Sequence, residues 1–189
     1  MLAELVTLQG VSCLVDTIKN IVGMTPTLRN KETKVFEDVI EPIYQDLEPA
    51  VVDLLRLLSD LDSDILTKKP QEVKVQYQIN RSAMFTSRAA IRENCKALRD
   101  ASHNASINSF LDKVERIFLS SEVPAGGIRM SRSIQMAGLL DLLEREETRK
   151  EVLHEAIATT IKEIENGFIA ASQVHAVYKL KNIRGSLKK

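Results

Sequence analysis

Arg149 and His154 bracket four residues in the stretch RKEVLH. On a helix this pairing suits acid–base chemistry at a phosphodiester. The guanidinium can clamp a phosphate oxygen, and the imidazole ordinarily titrates near neutrality, so it can move a proton. Glu155 follows His154, as in the zinc motif HExxH, but the second ligand position holds Ala158, so no metal is expected there. Asp60, Asp62 and Asp64 have the spacing of a calcium loop, yet Ile65 and Gln71 stand where that loop needs Gly and Glu. These three are expected to be solvated residues near a helix end. No cofactor and no small-molecule substrate are indicated.

Other candidate anion contacts are arginines. Arg81, Arg88, Arg92 and Arg99 fall within roughly 40° of one another on an ideal helix. They could track phosphates, although Phe85 is the one aromatic among them, too few to stack successive bases. Arg129 and Arg132 lie in SSEVPAGGIRMSRS, the glycine-rich stretch at 120–133. It has no Gly-Lys-Ser/Thr, so it is no P-loop, but its two arginines could hold a phosphate.

The Arg-x4-His pair resembles the catalytic motif of the HEPN helical ribonucleases. The resemblance covers six residues. It implies RNA cleavage by Arg149 and His154 at a dimer interface. Lys150 departs from it, because Asn, Asp or His is the usual residue after that arginine. The competing reading is a solvated first helical turn beginning at a Thr148–Glu151 capping box.

The elements that must position these residues read as helices. Residues 2–22 carry a broad apolar face ended by Gly23 and Pro26. Leu5, Leu14, Ile18 and Ile21 on it are candidate partner contacts. A second helix is expected from Asn30 to about Leu66, bent rather than broken at Pro42 and Pro49. Val73, Val75, Tyr77 and Ile79 alternate as in a strand, but nothing else in the chain alternates to pair with them. A helix from Gln71 to Ala101 is therefore expected. Ile107 to Phe118 form a regular amphipathic stripe, and the remainder is helical to about Ile183. Folding the second helix against the third about Thr67 would bring Glu48, Glu41 and Glu37 opposite Arg88, Arg92 and Arg99. That antiparallel hairpin competes with the phosphate track for the same arginines.

The fold expected is all-α: an antiparallel bundle of about five to six helices with long, bent members. A single domain over 1–189 is expected, with a flexible loop at 120–133 and a basic tail at 179–189. The chain is 44% apolar and 28% charged, enough to build a core without disulfides. Cys13 and Cys95 form no CxxC and suit buried thiols in a reducing cytoplasm. The N-terminus lacks the basic flank of a signal peptide, and Gln9, Asp16 and Lys19 interrupt it as a membrane span. Charge is segregated: residues 1–66 carry net −7 and residues 67–189 net +7.

These features favour a non-enzymatic interaction module that binds a protein partner or a second copy. A nucleic-acid-directed, HEPN-like ribonuclease is the alternative. A membrane-perturbing bundle is a third reading, with the apolar leading helix inserting and the basic tail at the membrane surface. Its outline is similar to that of HeLo-type domains.

Overall fold

Two prolines and an arginine fix how the first half of the chain folds. In the computed structural model, which describes residues 36–101, 105–119 and 130–186, a π-helical turn at Phe36–Ile40 runs directly into helix α1, Glu41–Thr67. The change of winding falls beside Pro42, which has no N–H to give to either ladder. Pro49 lies inside α1, and the helix continues through it. Its apolar residues recur at helical spacing on both sides, so core burial outweighs the one missing hydrogen bond. Val39, Ile40, Ile43, Leu47, Leu54 and Leu58 are all buried.

Helix α2, Pro70–Ala83, starts with Pro70 in its first turn, where a missing N–H costs nothing. Residues 72–80 are therefore helical. The strand-like alternation separates into two i,i+4 pairs on opposite faces: Val73 and Tyr77 are buried, and Val75 and Ile79 face outward.

The single helix expected to Ala101 is interrupted at Met84, and α3 is Phe85–Ala101. No Gly or Pro marks the break. Ser82 Oγ donates back to the Gln78 carbonyl at 2.8 Å, a contact that competes with the helix ladder. Arg88 then closes the gap, with Nη2 donating to the Arg81 carbonyl at 2.8 Å and Nε to the Met84 carbonyl at 3.1 Å.

Helix α4 is Ala105–Phe118, α5 is Arg132–Glu144 and α6 is Lys150–Ser186. In α4, Ile107, Phe110, Leu111, Val114, Ile117 and Phe118 are all buried, as their stripe requires. An isolated antiparallel bridge joins Leu119 to Ser131. The described residues thus form an all-α helical bundle of six helices, without strands. The expected N-terminal helix at 2–22 and residues 120–129 of the glycine-rich stretch lie outside the described residues.

Two compact units divide these helices. The first takes 36–48, 89–114 and 169–186, and the second takes Pro49–Arg88 and Glu115–Phe168. Phe36, Leu47, Cys95, Leu98, Phe110 and Ala171 centre the first core. In the second, α2 packs on α5, with Val73 and Tyr77 buried alongside Met136, Leu140 and Leu143. Tyr77 donates its hydroxyl to the Ser133 carbonyl at 3.1 Å, and burial pushes its pKa up to about 12, with Arg81 and Arg88 pulling the other way. Lys74 adds a polar clasp, with Nζ 2.7 Å from Asp141 and 2.5 Å from Glu144.

The junction between α5 and α6 shows backbone strain. Glu146 has φ 61°. Its N–H donates to the Leu143 carbonyl and the Glu147 N–H to the Leu142 carbonyl, the two bonds of a Schellman cap. The left-handed position that usually takes Gly holds Glu. Glu146→Gly is expected to stabilise the fold by about 1 kcal/mol, read as a higher urea midpoint at unchanged slope. Past this turn, the Leu153 N–H bonds the Arg149 carbonyl, so α6 is capped at Arg149. That is one residue later than the Thr148 capping box implied.

Candidate functional site

The two histidines of α6 within the described residues meet opposite environments. His154 is exposed on the first turns of α6, in the second unit. Its Nδ1–H donates to Asp62 Oδ1 of α1 at 2.6 Å. A carboxylate on Nδ1 fixes the tautomer and turns Nε2 away as the atom free for proton transfer. Arg149 is exposed at the N-cap of the same helix. Asp62 therefore lies within α1 as the orienting partner of a histidine, and its neighbour Asp64 holds Lys68 at 2.8 Å. Among the described residues no cluster of His, Cys, Asp and Glu could hold a metal ion.

His175 lies in the first unit and is buried. Its ring stacks on Tyr44, with centroids 3.9 Å apart and planes 6° from parallel, and meets Phe36 at 5.4 Å. Its Nε2–H donates to Glu41 Oε2 at 2.5 Å, and Gln45 donates to the other oxygen of Glu41 at 3.2 Å. The bond from His175 holds the Glu41 carboxyl below its ordinary value, against the opposing effect of burial. One turn before His175, Ser172 shares a hydrogen bond with the Tyr44 hydroxyl at 2.9 Å. Glu41 with His175 and Tyr44 with Ser172 run α1 and α6 antiparallel within this unit. Local spacing cannot supply the partners of His175, which lie more than a hundred residues away in the sequence.

The arginines divide between the units. In the second, Arg81 is half-buried at the end of α2. Arg88 is buried with its guanidinium on backbone carbonyls, and burial lowers its pKa. In the first, Arg92 is exposed and Arg99 Nη2 donates to Asp112 Oδ1 at 2.6 Å. Glu41 is thus engaged by His175 where the hairpin reading put Arg92, because α6 supplies a buried aromatic donor at that position.

Arg132 is buried in the second unit. Nε donates to the Ile117 carbonyl at 3.1 Å, Nη2 to the Arg116 carbonyl at 3.0 Å, and Nη1 pairs with Glu163. The first turn of α5 thereby caps the C-terminus of α4 with a cation, the sign the helix dipole favours there. Arg129 lies outside the described residues, as do Leu5, Leu14, Ile18 and Ile21.

Among the described residues, apolar stripes on α2 and α6 are largely exposed. On α2, Val75 and Ile79 are 57% and 60% exposed. On α6, Ile169, Val177 and Leu180 repeat at helical spacing and are each more than half exposed. Within the described residues no helix is long and apolar enough to cross a membrane. The chain matches no protein-family model, no curated protein and no solved structure.

Proposed function

We propose that this chain is a non-enzymatic, cytoplasmic helical-bundle module that binds a protein partner through an apolar helix face. The observation that carries the reading is the Val75/Ile79 stripe on α2. Its helix is already anchored on the opposite face by Val73 and Tyr77, so the outward pair contributes nothing to the core of its own unit. Branched aliphatic side chains held one turn apart on a rigid helix form the kind of anchor that a partner's groove accepts. Affinity capture from cell extract tests this with wild type and a Val75→Asp/Ile79→Asp variant of matched helical content. A defined partner retained by wild type and lost by the variant is the expected result. Equal retention, or none by either, removes the reading.

The oriented His154 favours a second reading, an RNA-directed activity. Asp62 gives the imidazole the tautomer a general base needs, and Arg149 begins the same helix. RNA cleavage lost in His154→Ala is its signature, and cleavage unchanged in that variant eliminates it.

A further inference from the structure

In the first unit, α4 and the distal part of α6 border an open groove of about 450 Å³. Its walls are regular. Ala105, Ser109 and Lys113 line it at every fourth position of α4, and Ala170, Val174 and Tyr178 do the same on α6. Rows spaced by four residues are the ridges between which a further helix seats. Along α6 the lining runs from Ala170 to Lys181, about 17 Å or three helical turns. Val177 lines the groove and is 52% exposed, and Ile169 and Leu180 carry the apolar surface beyond it on the same stretch of helix.

The lining is basic. Lys113 and Lys181 belong to it, and no acid does. Ser109 Oγ accepts from Lys113 Nζ at 2.9 Å, a neutral partner that does not offset its charge. The Lys181 ammonium lies 5.4 Å from the centroid of the Tyr178 ring. Asp112, the acid next to Lys113, lies outside the lining, and Arg99 holds its Oδ1 at 2.6 Å. From Ile169 to Lys181, α6 carries two lysines and no acid.

We propose that this groove docks an acidic amphipathic helix of a partner protein, with its apolar face between the two rows and its acids on the basic rim. Apolar anchors at i, i+3, i+4 and i+7 suit such a floor, and the charge selects the partner. A rod fills a trough of this length, whereas a bilayer surface would meet only its rims. A second copy presenting the same face would set like charges together, which opposes association. The groove extends the interaction-module reading to a second surface. It lies in the first unit and the Val75/Ile79 stripe in the second, so either surface can fail without the other.

A display library of helix-constrained peptides about 14 residues long, selected against the full chain, tests this. The selected peptides are synthesised and titrated by fluorescence anisotropy against wild type and variants. They are expected to be net acidic with apolar anchors at helical spacing. Val177→Asp, of helical content matched to wild type, is expected to weaken them at least ~10-fold. Ala105→Trp, which narrows the groove from α4, is expected to weaken them as well. Lys113→Glu is expected to cost roughly 5–10-fold, less in high salt, and exchanging the peptide's acids for lysines is expected to restore binding to that variant. Val75→Asp/Ile79→Asp is expected to leave binding unchanged. The proposal is overturned by a library without peptides sensitive to Val177→Asp, by selected peptides that are neutral or basic, or by a Lys113→Glu variant that binds them as wild type does. A dimer lost in Val177→Asp would overturn it in favour of a second copy. Binding to phosphatidylserine vesicles lost in the same variant would overturn it in favour of a membrane surface.

Discussion

Arg132→Met is expected to destabilise the second unit by about 3–5 kcal/mol, among the largest effects of any single substitution in this chain. Methionine keeps the length of the aliphatic stem, so packing is nearly conserved. What is lost is the fork. The carbonyls of Arg116 and Ile117 end α4, and Arg132 is their donor in each case. Buried carbonyls deprived of a donor each cost about 1–3 kcal/mol, and Glu163 loses the cation it faces. Arg132→Lys restores charge without the planar fork and is expected to recover only part of the loss. Urea denaturation monitored by circular dichroism gives the answer. A midpoint for Arg132→Met within error of wild type would mean that water satisfies the two carbonyls.

His175→Ala is expected to cost about 2–3 kcal/mol, since it empties a stacked aromatic site between Tyr44 and Phe36. The carboxylate it leaves behind gives this site a pH signature. Glu41 titrates below its ordinary value because His175 donates to it. A carboxyl lowered by folding contributes stability that is complete above its unfolded value, near ~4.3. That contribution disappears as pH falls through the lowered folded value. Glu41→Gln is therefore expected to be less stable than wild type at pH 7 by about 1 kcal/mol, a modest figure for a bond open to solvent on one side. Once the pH is below that lowered folded value the two proteins should converge. Thermal melts of both between pH 7 and 3 test the sign. A gap that widens toward acid would show that the bond contributes nothing in its ionised form.

Periodicity carried far in this chain, and partnership did not. The stripe from Ile107 to Phe118 became buried as a set because each member lies on one face of one helix. The alternation at Val73–Ile79 was readable too, once the absence of a pairing strand was weighed. The break at Met84 was not: no Gly or Pro announces it, and the carbonyls there are satisfied by Arg88 reaching back to them. Arg132 shows the same limit. Beside a glycine-rich stretch its charge suggested an anion, whereas the nearest negative ends were those of a helix terminus and Glu163. His154 is intermediate. Its exposure followed from the polar run around it, while its bond to Asp62 joins residues that local spacing cannot relate.

Where α6 passes α4 within the second unit, a Cβ placed on Gly167 would lie 3.0 Å from the Ile117 side chain, which is itself fully buried. At Gly138, on the exposed side of α5, the same atom would meet nothing within 4 Å. Two glycines of similar helical context thus differ entirely in what descent with modification can do to them. Gly138 is open to drift, and its replacement by alanine would even favour the helix. At Gly167 an alanine requires the Ile117 side chain to give by a few tenths of an ångström, so these two positions are expected to change together more often than Gly138 does with any neighbour. Their joint occurrence would serve as a recognition mark for this packing when overall sequence similarity has faded.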